Sequence, residues 1–269
     1  MRAAAFVLCL GVLLAASAHS KKPGVERLVQ AGSVLIVDGA SGKALLSKAA
    51  TQRRQVASLQ KLVTALVIIE AGNLDKPVTV TVQDANCQPT NLPNSVGGTY
   101  TRRELLQAML VLSANDAARA LARDNSGSEA AFGAKMTAMA RRVGATNSVF
   151  KDSAGFTVSG QYSTAADMVK ILKAAYANPL IRQANSAKYL NWRQANGKMT
   201  QLRNSNRILH RHPSCRGGKV GYTAAASHCV AVVWEEKGNR LYGVALGGNQ
   251  EMFWLEFATV LSLHAHGLL

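Results

Sequence analysis

Acidic residues are scarce in this chain. Its 269 residues include 15 Asp and Glu against 31 Lys and Arg, which gives a formal net charge of +16 at pH 7. A surface of this kind attracts anionic partners such as cell-wall polymers and membrane faces, although a simply well-solvated surface explains the charge equally well. Basic runs interleaved with aromatic residues are also missing, so we expect no specific nucleic-acid site.

Cysteine is nearly absent, with 4 residues in the whole chain. Cys9 lies in the apolar run at the N-terminus, and the other three are Cys87, Cys215 and Cys229. An odd number of cysteines in an oxidising compartment leaves at least one free thiol or an intermolecular bond. Cys215 and Cys229 flank a predicted turn, and the sequence leaves open whether they pair.

Metal-ligand patterns are missing from the sequence as well. The three later cysteines do not have the spacing of a structural zinc site. Two H-x-H pairs, at 210–212 and 264–266, have no acidic or thiol ligand nearby in the sequence. We therefore expect no metal site and no cofactor.

Long apolar runs are limited to the N-terminus. Arg2 precedes an apolar stretch from Ala3 to Ala15, and Ala16-Ser17-Ala18 has the form of a cleavage site. This arrangement is typical of a secretory signal, and the run is too short to span a membrane. We predict a signal peptide over residues 1–20, cleaved near Ala18, and a mature domain over 21–269 that is secreted into a periplasmic or extracytoplasmic compartment.

Strand patterns lie towards both ends of the chain and helix patterns in its middle. Apolar and β-branched runs predict strands at 33–37, 44–47, 78–83, 217–222, 228–234 and 240–246. Capping residues and helical apolar spacing predict helices at 58–70, 101–112, 117–123, 129–144, 164–178 and 251–266. The last two strands meet at Lys237-Gly238-Asn239, where the glycine suits a tight hairpin turn. We predict an α+β fold, with an antiparallel sheet flanked by helices and an inserted, mostly helical subdomain.

Ser58 and Lys61 open one of these helix patterns as an S-x-x-K motif. Residues three apart on a helix are neighbours, so both side chains should leave the first turn in the same direction. A serine hydroxyl becomes a nucleophile when a base takes its proton. A lysine can be that base if burial or nearby cations keep it neutral. Alone, this motif is common by chance on exposed helices.

Two further motifs follow in order along the chain. Ser113-Ala114-Asn115 lies between two predicted helices, and Lys219-Val220-Gly221 enters a predicted strand. The ordered set resembles the serine D-alanyl-D-alanine carboxypeptidases, the low-molecular-weight penicillin-binding proteins, which share a fold with the β-lactamases. The other stretches that carry the resemblance are 34–43, 111–118, 162–168, 203–206 and 218–223.

This resemblance implies a role for each residue of the motifs. Ser58 would attack the carbonyl of the penultimate D-alanine and form an acyl-enzyme, and Lys61 would take its proton. Ser113 would relay a proton towards the leaving amine, and Asn115 would orient Lys61 and the substrate amide. Lys219 would lower the pKa of Lys61 and attract the terminal carboxylate of the substrate.

The strand that follows Lys219 would bind the substrate, by the same resemblance. The backbone N–H groups of Ser58 and Tyr222 would form the oxyanion hole, with Gly221 and Thr223 beside them. The implied substrates are peptidoglycan stem peptides, and the implied covalent inhibitors are β-lactam antibiotics. The implied reaction is hydrolysis of the terminal D-Ala-D-Ala bond by a serine-type carboxypeptidase.

Val220 departs from the family pattern, which has Lys-Thr-Gly at this motif. Valine matches threonine in shape but cannot donate a hydrogen bond to the substrate carboxylate. Losing a hydrogen bond to a charged group costs roughly 1.5–3 kcal/mol, or about 10–200-fold in rate. We expect Thr223 not to substitute fully, because it should face the turn. Two alternatives stay open: a D,D-endopeptidase that cleaves crosslinks, and a catalytically weakened penicillin-binding or wall-binding protein.

Two further expectations follow from comparison with the family pattern. A β-lactamase needs fast deacylation, and we find no glutamate placed as its base, because the stretch from Asp152 to Gly155 follows the peptidase pattern. The larger carboxypeptidases carry a β-rich C-terminal domain and an amphipathic membrane anchor. The chain stops at Leu269 after one predicted helix, so we expect the catalytic domain alone.

Overall fold

A five-stranded antiparallel sheet forms the centre of the fold. The structure, a computed structural model, describes residues 29–87, 89–249 and 253–269, so the predicted signal peptide lies outside the described residues. The strand order is β2-β1-β9-β8-β7, with β7 at an edge. The strands are β1 (Ala31–Asp38), β2 (Ala44–Lys48), β7 (Cys215–Thr223), β8 (Ser227–Glu236) and β9 (Asn239–Gly248). Strand β1 pairs with β9, in a register that runs from Ala31 opposite Gly248 to Asp38 opposite Leu241.

The turn between β8 and β9 confirms the predicted hairpin. Lys237 and Gly238 have φ angles of 51° and 79°, and Glu236 pairs directly with Asn239. Positive φ at both central residues is the geometry of a two-residue turn whose twist matches that of the strands.

The two faces of the sheet are covered by different helices. On β8, Val230 and Val232 belong to one apolar cluster, while Ala231 and Val233 belong to the other. This alternation follows from the period of two along a strand. The first cluster includes side chains of α8 (Arg207–Arg211) and α9 (Phe253–Ala265), and the second those of the helical part of the chain. The predicted α+β fold class is therefore confirmed.

Most of the remaining chain forms the helical part, which lies between β2 and β7 in the sequence. Its helices are α1 (Lys61–Ala71), α2 (Val82–Ala85), α3 (Arg102–Leu112), α4 (Asn115–Ser126), α5 (Glu129–Arg142), α6 (Ala165–Ala177) and α7 (Pro179–Ser186). Two small hairpins accompany them, β3 (Pro77–Thr79) with β4 (Thr99–Thr101), and β5 (Tyr189–Arg193) with β6 (Met199–Arg203). The side chains of Thr101, Ser128 and Thr164 cap α3, α5 and α6, and each accepts a hydrogen bond from the backbone N–H three residues on. The cap of α5 is Ser128, whereas the S-x-x-E pattern at 126–129 predicted Ser126.

The strand predicted over 78–83 is wrong beyond Thr79. Thr81 instead caps α2, since its hydroxyl accepts from the N–H of Asp84 and the carboxylate of Asp84 accepts from the N–H of Thr81. This reciprocal capping box overrides the β-branched composition of the run. The β5–β6 hairpin was not predicted, and α4 begins two residues earlier than predicted.

The cysteines do not form a disulfide between Cys215 and Cys229. All three described cysteines are free and buried. Cys215 lies opposite Trp234, whereas Cys229 lies opposite Gly221, further along β7. At about 3.3 Å per residue along a strand, this separation is far beyond the roughly 7 Å that a disulfide tolerates between Cα atoms. The pairing that the sequence left open is thereby excluded.

Among the described residues, no helix combines the length and the hydrophobicity that crossing a membrane requires. Within the same residues, no group of three or more His, Cys, Asp or Glu side chains is placed to hold a metal ion.

Candidate active site

Ser58 lies in a tight turn immediately before α1. Residues Ala57–Gln60 form a 3-10 helix and α1 begins at Lys61, so the expectation that Ser58 occupies the first turn of the α-helix is wrong. Ala57 has a φ of 49°, which prevents a regular helix from starting earlier. Gly155 packs against this turn so closely that a Cβ atom there would lie 2.2 Å from the carbonyl oxygen of Ala57. The position of Ser58 therefore depends on a glycine from a distant loop.

The amine of Lys61 is the centre of a hydrogen-bond network. Its Nζ lies 2.9 Å from Ser58 Oγ, 2.8 Å from Asn115 Oδ1 and 2.6 Å from the carbonyl oxygen of Ala154. The side chain is completely buried. Burial lowers the pKa of Lys61 to about 7, against the charge of Asp152, which raises it. Near neutral pH, a substantial fraction of the amine is therefore neutral and able to accept a proton from Ser58.

Asp152 fixes the loop that supplies the Ala154 carbonyl. Its Oδ1 accepts the backbone N–H groups of residues 154–156 at 2.8, 2.7 and 3.2 Å. Its Oδ2 accepts from the side-chain amides of Gln60 at 3.1 Å and Gln161 at 2.8 Å. The stretch from Asp152 to Gly155 was recognised as following the family pattern, but this structural role and the contacts of Gln60 and Gln161 were not predicted. An aspartate followed at once by a small residue and a glycine is the local signal that suggests such a turn.

Asn115 and Ser113 are placed differently with respect to Lys61. Asn115 is the first residue of α4 and accepts a hydrogen bond from Lys61, as the sequence analysis expects. Ser113 has a left-handed backbone, with φ of 73°, between α3 and α4. Within the described residues, no hydrogen bond links its hydroxyl to Lys61 or Lys219. Ser113 does line the same cavity as Ser58.

Lys219 is buried in the wall of the site. Its Nζ donates to Val220 O at 3.1 Å and to Ser205 Oγ at 3.4 Å. Burial, with a smaller contribution from the charge of Lys61, lowers the pKa of Lys219 well below its usual value. Burial is also the main cause of the low pKa of Lys61, whereas the resemblance implied that Lys219 lowers it. Ser205 lies in the stretch 203–206, which carries the family resemblance, and no role was predicted for it.

The rest of the motif on β7 alternates between two directions. Gly221 faces the Ser58 turn, since a Cβ atom there would lie 2.6 Å from the backbone nitrogen of Ser58. Val220 faces the other way and packs against the cluster formed with α8 and α9. Thr223 accepts a hydrogen bond from the N–H of Ala226 at 3.0 Å, so its hydroxyl is engaged in the turn, as expected.

Tyr222 continues the alternation on the outer side of β7. Its side chain is 61% exposed and its residue pairs with His228 across the ladder. Because β7 is an edge strand, alternate N–H groups along it point away from the sheet. An edge strand beside the Ser58 turn is the arrangement that an oxyanion hole shared by two backbone N–H groups requires.

A cavity of about 580 Å³ runs along this edge. Ser58, Ser113, Asn115 and the stretch 220–223 all line it, whereas Lys61 and Lys219 lie behind its surface. The other lining residues are Pro89, Thr90, Leu112, Ala154, Gly155, Phe156, Ser205, Arg207, Ile208, His228, Cys229, Val230, Phe253 and Trp254. The site thus combines a serine hydroxyl, a buried amine and an open cleft, which are the features that acyl transfer requires.

Comparison with known proteins gives a consistent result. The sequence model of a family described as D-alanyl-D-alanine carboxypeptidase matches residues 17–250. A D-alanyl-D-alanine carboxypeptidase from Bacillus subtilis is 30% identical over 258 residues, which are 90% of this chain and 65% of that protein. One from Mycobacterium tuberculosis is 32% identical over 247 residues, which are 86% of this chain and 84% of that protein.

A further relative and a solved structure extend this comparison. A D-alanyl-D-alanine endopeptidase from Escherichia coli is 31% identical over 208 residues, covering 76% of this chain and 67% of that protein. The crystal structure of a Mycobacterium tuberculosis D-alanyl-D-alanine carboxypeptidase superposes with a TM-score of 0.81 at 30% identity, covering 87% of this chain and 90% of that one. The predicted family, fold and enzyme class are confirmed: the chain belongs to the D-alanyl-D-alanine carboxypeptidase family of serine hydrolases.

Proposed function

We propose that this protein is a serine D,D-carboxypeptidase that hydrolyses the terminal D-Ala-D-Ala bond of peptidoglycan stem peptides. The observation that carries the proposal is the buried amine of Lys61, held 2.9 Å from Ser58 Oγ and fixed by Asn115 and the Ala154 carbonyl. A neutral amine at this distance is a general base in hydrogen-bond contact with its nucleophile.

Acylation follows from this geometry. Ser58 Oγ attacks the carbonyl carbon of the penultimate D-alanine while its proton passes to Lys61. The negative charge on the carbonyl oxygen is stabilised by the N–H groups of Ser58 and Tyr222. The C–N bond then breaks, and the terminal D-alanine leaves as an amine that receives its proton through Ser113. Attack by water on the Ser58 ester releases the shortened peptide and restores the hydroxyl.

The remaining residues support this sequence of steps. Asn115 orients Lys61 through its Oδ1 and is positioned to contact the substrate amide from the cavity wall. Gly221 allows β7 to approach the Ser58 turn, and Thr223 closes the far end of the strand. Lys219 stays behind the wall, and its contact with the cavity runs through the hydroxyl of Ser205.

β-Lactam antibiotics are proposed as covalent inhibitors that acylate Ser58 in the same way. A β-lactamase activity is disfavoured because no Asp or Glu among the described residues lines the cavity, and fast deacylation needs such a base near the ester. The charge of the chain and the predicted signal peptide support an extracytoplasmic location near anionic wall or membrane surfaces.

A D,D-endopeptidase is the second candidate function. Val220 lacks the hydroxyl that, by the family resemblance, donates a hydrogen bond to the substrate carboxylate. One related protein is named an endopeptidase. A weakened penicillin-binding protein would share this substitution, but it predicts no turnover. The intact contact between Lys61 and Ser58 favours catalysis over that alternative.

Release of D-alanine tests the proposal directly. The mature protein is incubated with diacetyl-Lys-D-Ala-D-Ala and with a D,D-crosslinked muropeptide dimer, and free D-alanine and monomer are quantified. We expect turnover that falls by roughly 10³-fold or more in Ser58→Ala, since the nucleophile is removed. Turnover of the dimer alone would assign the endopeptidase, and turnover of neither would contradict the proposal.

A further inference from the structure

Acidic residues are missing from one long stretch of the chain. Between Asp167 and Glu235 the sequence holds eleven of the 31 Lys and Arg residues and none of the 15 acidic residues. This stretch contains α7, the β5–β6 hairpin and α8, which follow one another before β7. A surface built from it carries charge of one sign and therefore attracts anions.

The β5–β6 hairpin turns one of its two faces to solvent. On the other face, Trp192 and Leu202 are buried in the core of the helical part, where Trp192 stacks on Tyr100 with ring centroids 4.3 Å apart. The alternate side chains of both strands are exposed, as the period of two along a strand requires. We name this exposed surface the hairpin face and define it by Tyr189, Asn191, Arg193, Met199, Gln201 and Arg203.

Three cross-strand pairs make up the hairpin face. They are Tyr189 opposite Arg203, Asn191 opposite Gln201, and Arg193 opposite Met199. Each end of the face thus joins a guanidinium group to an exposed, uncharged side chain, and two amide groups lie between the ends. Met199 and Arg203 are four residues apart on one strand, so the two arginines are separated by about 14 Å along the hairpin.

The cations on and beside the hairpin face lack acidic partners. Within the part of the chain that the structure describes, no carboxylate forms an ion pair with Arg193 or Arg203, or with Lys188 and Lys198 at the ends of the strands. Arg193 donates to the carbonyl oxygen of Thr99 at 3.5 Å, and a guanidinium group has four further N–H donors. The positive charge of this surface is therefore open to an external anion.

The hairpin face leads into the cavity that contains Ser58. Ser205 lines that cavity two residues beyond Arg203, and the exposed Arg207 lines it as well. Two residues of extended chain span about 7 Å at most. The N–H of Ser205 donates to the carbonyl oxygen of Val111 at 2.9 Å, which holds this connection against α3. A polymer on the hairpin face is therefore close enough to extend a side branch into the cavity.

We propose that the hairpin face is a second binding surface, which holds the glycan strand of polymeric peptidoglycan through free carboxylates of the stem peptides next to the one in the cavity. Arginine suits this ligand because its planar guanidinium group binds a carboxylate through two parallel hydrogen bonds. A membrane surface fits less well, because the turn at 194–198 is Gln-Ala-Asn-Gly-Lys and has no large apolar side chain to insert. The identity of the polymer rests on the proposed function, whereas its anionic character follows from the surface itself.

Cosedimentation with insoluble peptidoglycan tests this inference. Sacculi are freed of bound proteins and phosphate polymers, and the Ser58→Ala protein is used so that the polymer is not consumed. It is compared with the same protein carrying Arg193→Gln and Arg203→Gln. The matched control carries Arg141→Gln and Arg142→Gln, which remove the same charge from exposed positions on α5 outside the cavity.

The hairpin variant should bind sacculi about 10-fold more weakly, since each exposed ion pair contributes up to about 5-fold in affinity. The α5 variant should bind like its parent. Sacculi whose carboxyl groups have been converted to amides should bind all three proteins equally weakly. With Ser58 present, Arg193→Gln with Arg203→Gln should leave D-alanine release from diacetyl-Lys-D-Ala-D-Ala unchanged, because this small peptide carries no neighbouring stem peptide, while release from sacculi should fall in parallel with binding.

Other results overturn the inference in distinguishable ways. Equal weakening by the two double variants would show that binding follows net charge alone. Unchanged binding by the hairpin variant, or equally tight binding to amidated sacculi, would exclude the carboxylates as the ligand. Loss of binding to phosphatidylglycerol vesicles without loss of binding to sacculi would assign the hairpin face to a membrane. If the protein with Ser58 does not turn over the small peptide while sedimentation still depends on the hairpin, the proposed function fails and the second binding surface stands.

Discussion

The two faces of β7 differ in almost every physical respect. On the inner face, a polar network joins Ser58, Lys61, Asn115 and the loop held by Asp152, with hydrogen bonds that leave little freedom. On the outer face, Val220 is part of an apolar surface shared with α8 and α9. One strand thus borders the polar Ser58 network on one side and an apolar surface on the other.

The comparison teaches that the two faces of β7 can change independently. Because the side-chain period of a strand is two, a substitution at Val220 leaves Lys219 and Gly221 on the inner face untouched. The threonine expected from the family pattern is replaced without loss of any residue of the Lys61 network. The molecule is therefore expected to keep its nucleophile while altering which bonds it prefers to cleave.

Removal of the base Lys61 from the inner face should cause the largest loss of activity. Lys61→Met is expected to lower kcat/KM for diacetyl-Lys-D-Ala-D-Ala by roughly 10²–10⁴-fold, the usual contribution of a positioned general base. Because the outer face is intact, the ratio between turnover of this peptide and turnover of the crosslinked dimer should stay the same. Lys135→Met, on the exposed surface of α5, is the control and should retain full activity. A loss below 10-fold would mean that another group activates Ser58.

Gly221→Ala should disturb the close contact between β7 and the Ser58 turn. The added Cβ would lie 2.6 Å from the Ser58 nitrogen, so the strand or the turn must move and the N–H donors lose their alignment. We expect a reduction of about 100-fold in acylation, comparable to the loss of one oxyanion-hole donor. Stopped-flow measurement of acylation checks this.

Gly197→Ala provides the matched control for that substitution. Gly197 has a φ of 82° and open space around its Cβ position, so alanine there should cost about 1 kcal/mol of stability through backbone strain alone. Its acylation rate should be unchanged. Equal acylation by both variants would show that the close approach at Gly221 is not needed.

The pH profile should report the charge around Lys61. Since Lys61 must be neutral to act as a base, kcat/KM is expected to fall as the pH drops through the pKa of about 7. The charge of Asp152 favours the protonated amine and raises that pKa. Asp152→Asn keeps an Oδ1 acceptor but removes the charge, so the acid limb should move to lower pH.

Asp75→Asn, at an exposed acidic residue on the surface, is the control for the pH experiment and should leave the limb in place. Asp152→Asn is also expected to lower the melting temperature, because its Nδ2 would face the amide groups of Gln60 and Gln161. Movement of the acid limb to higher pH would contradict the assigned role of Asp152, whatever the change in stability.

The smallest expected effect concerns the thiols on the two sides of the sheet. Cys229 belongs to the inner cluster and Cys215 to the outer one, and burial raises the pKa of each to about 11. The thiolate fraction is then about 100-fold lower than for an unperturbed thiol, so reaction with a disulfide reagent should be slow in the folded protein. Without reductant, the unfolded mature protein should show three reactive thiols.

Rapid reaction of one thiol would identify the side of the sheet that opens more easily. Fewer than three thiols after unfolding would contradict the free state of the cysteines in the structure. Either result is read by absorbance as the reagent is consumed, with labelled peptides assigning the thiol concerned.

Much of the fold was predictable because its signals are local. The capping pattern at Thr101 and the turn at Lys237-Gly238 each depend on residues adjacent in the sequence, and both are confirmed. The segment after Thr79 was mispredicted because two local signals compete there, and the Thr81 capping box prevailed over β-branching. The 3-10 turn at Ser58 was not predictable, since it depends on packing against Gly155 from a distant loop.

The candidate site shows the same limit. The sequence motifs identified Ser58, Lys61, Asn115 and Lys219, because spacing and order along the chain are visible in the sequence. The stretch from Asp152 to Gly155 was recognised, but the contact of the Ala154 carbonyl with Lys61 was not predicted, since a backbone oxygen has no signature in a sequence. The apolar surroundings of Val220 were likewise hidden, because they come from helices far along the chain.

Covalent labelling by a fluorescent penicillin tests the central claim most directly. The mature protein and Ser58→Ala are incubated with the reagent, separated on a denaturing gel, and the labelled peptide is identified by mass spectrometry. The account predicts a covalent adduct on Ser58 of the wild type and none on the variant, because the buried Lys61 activates this hydroxyl. No adduct on either protein, or an adduct on both, would contradict it.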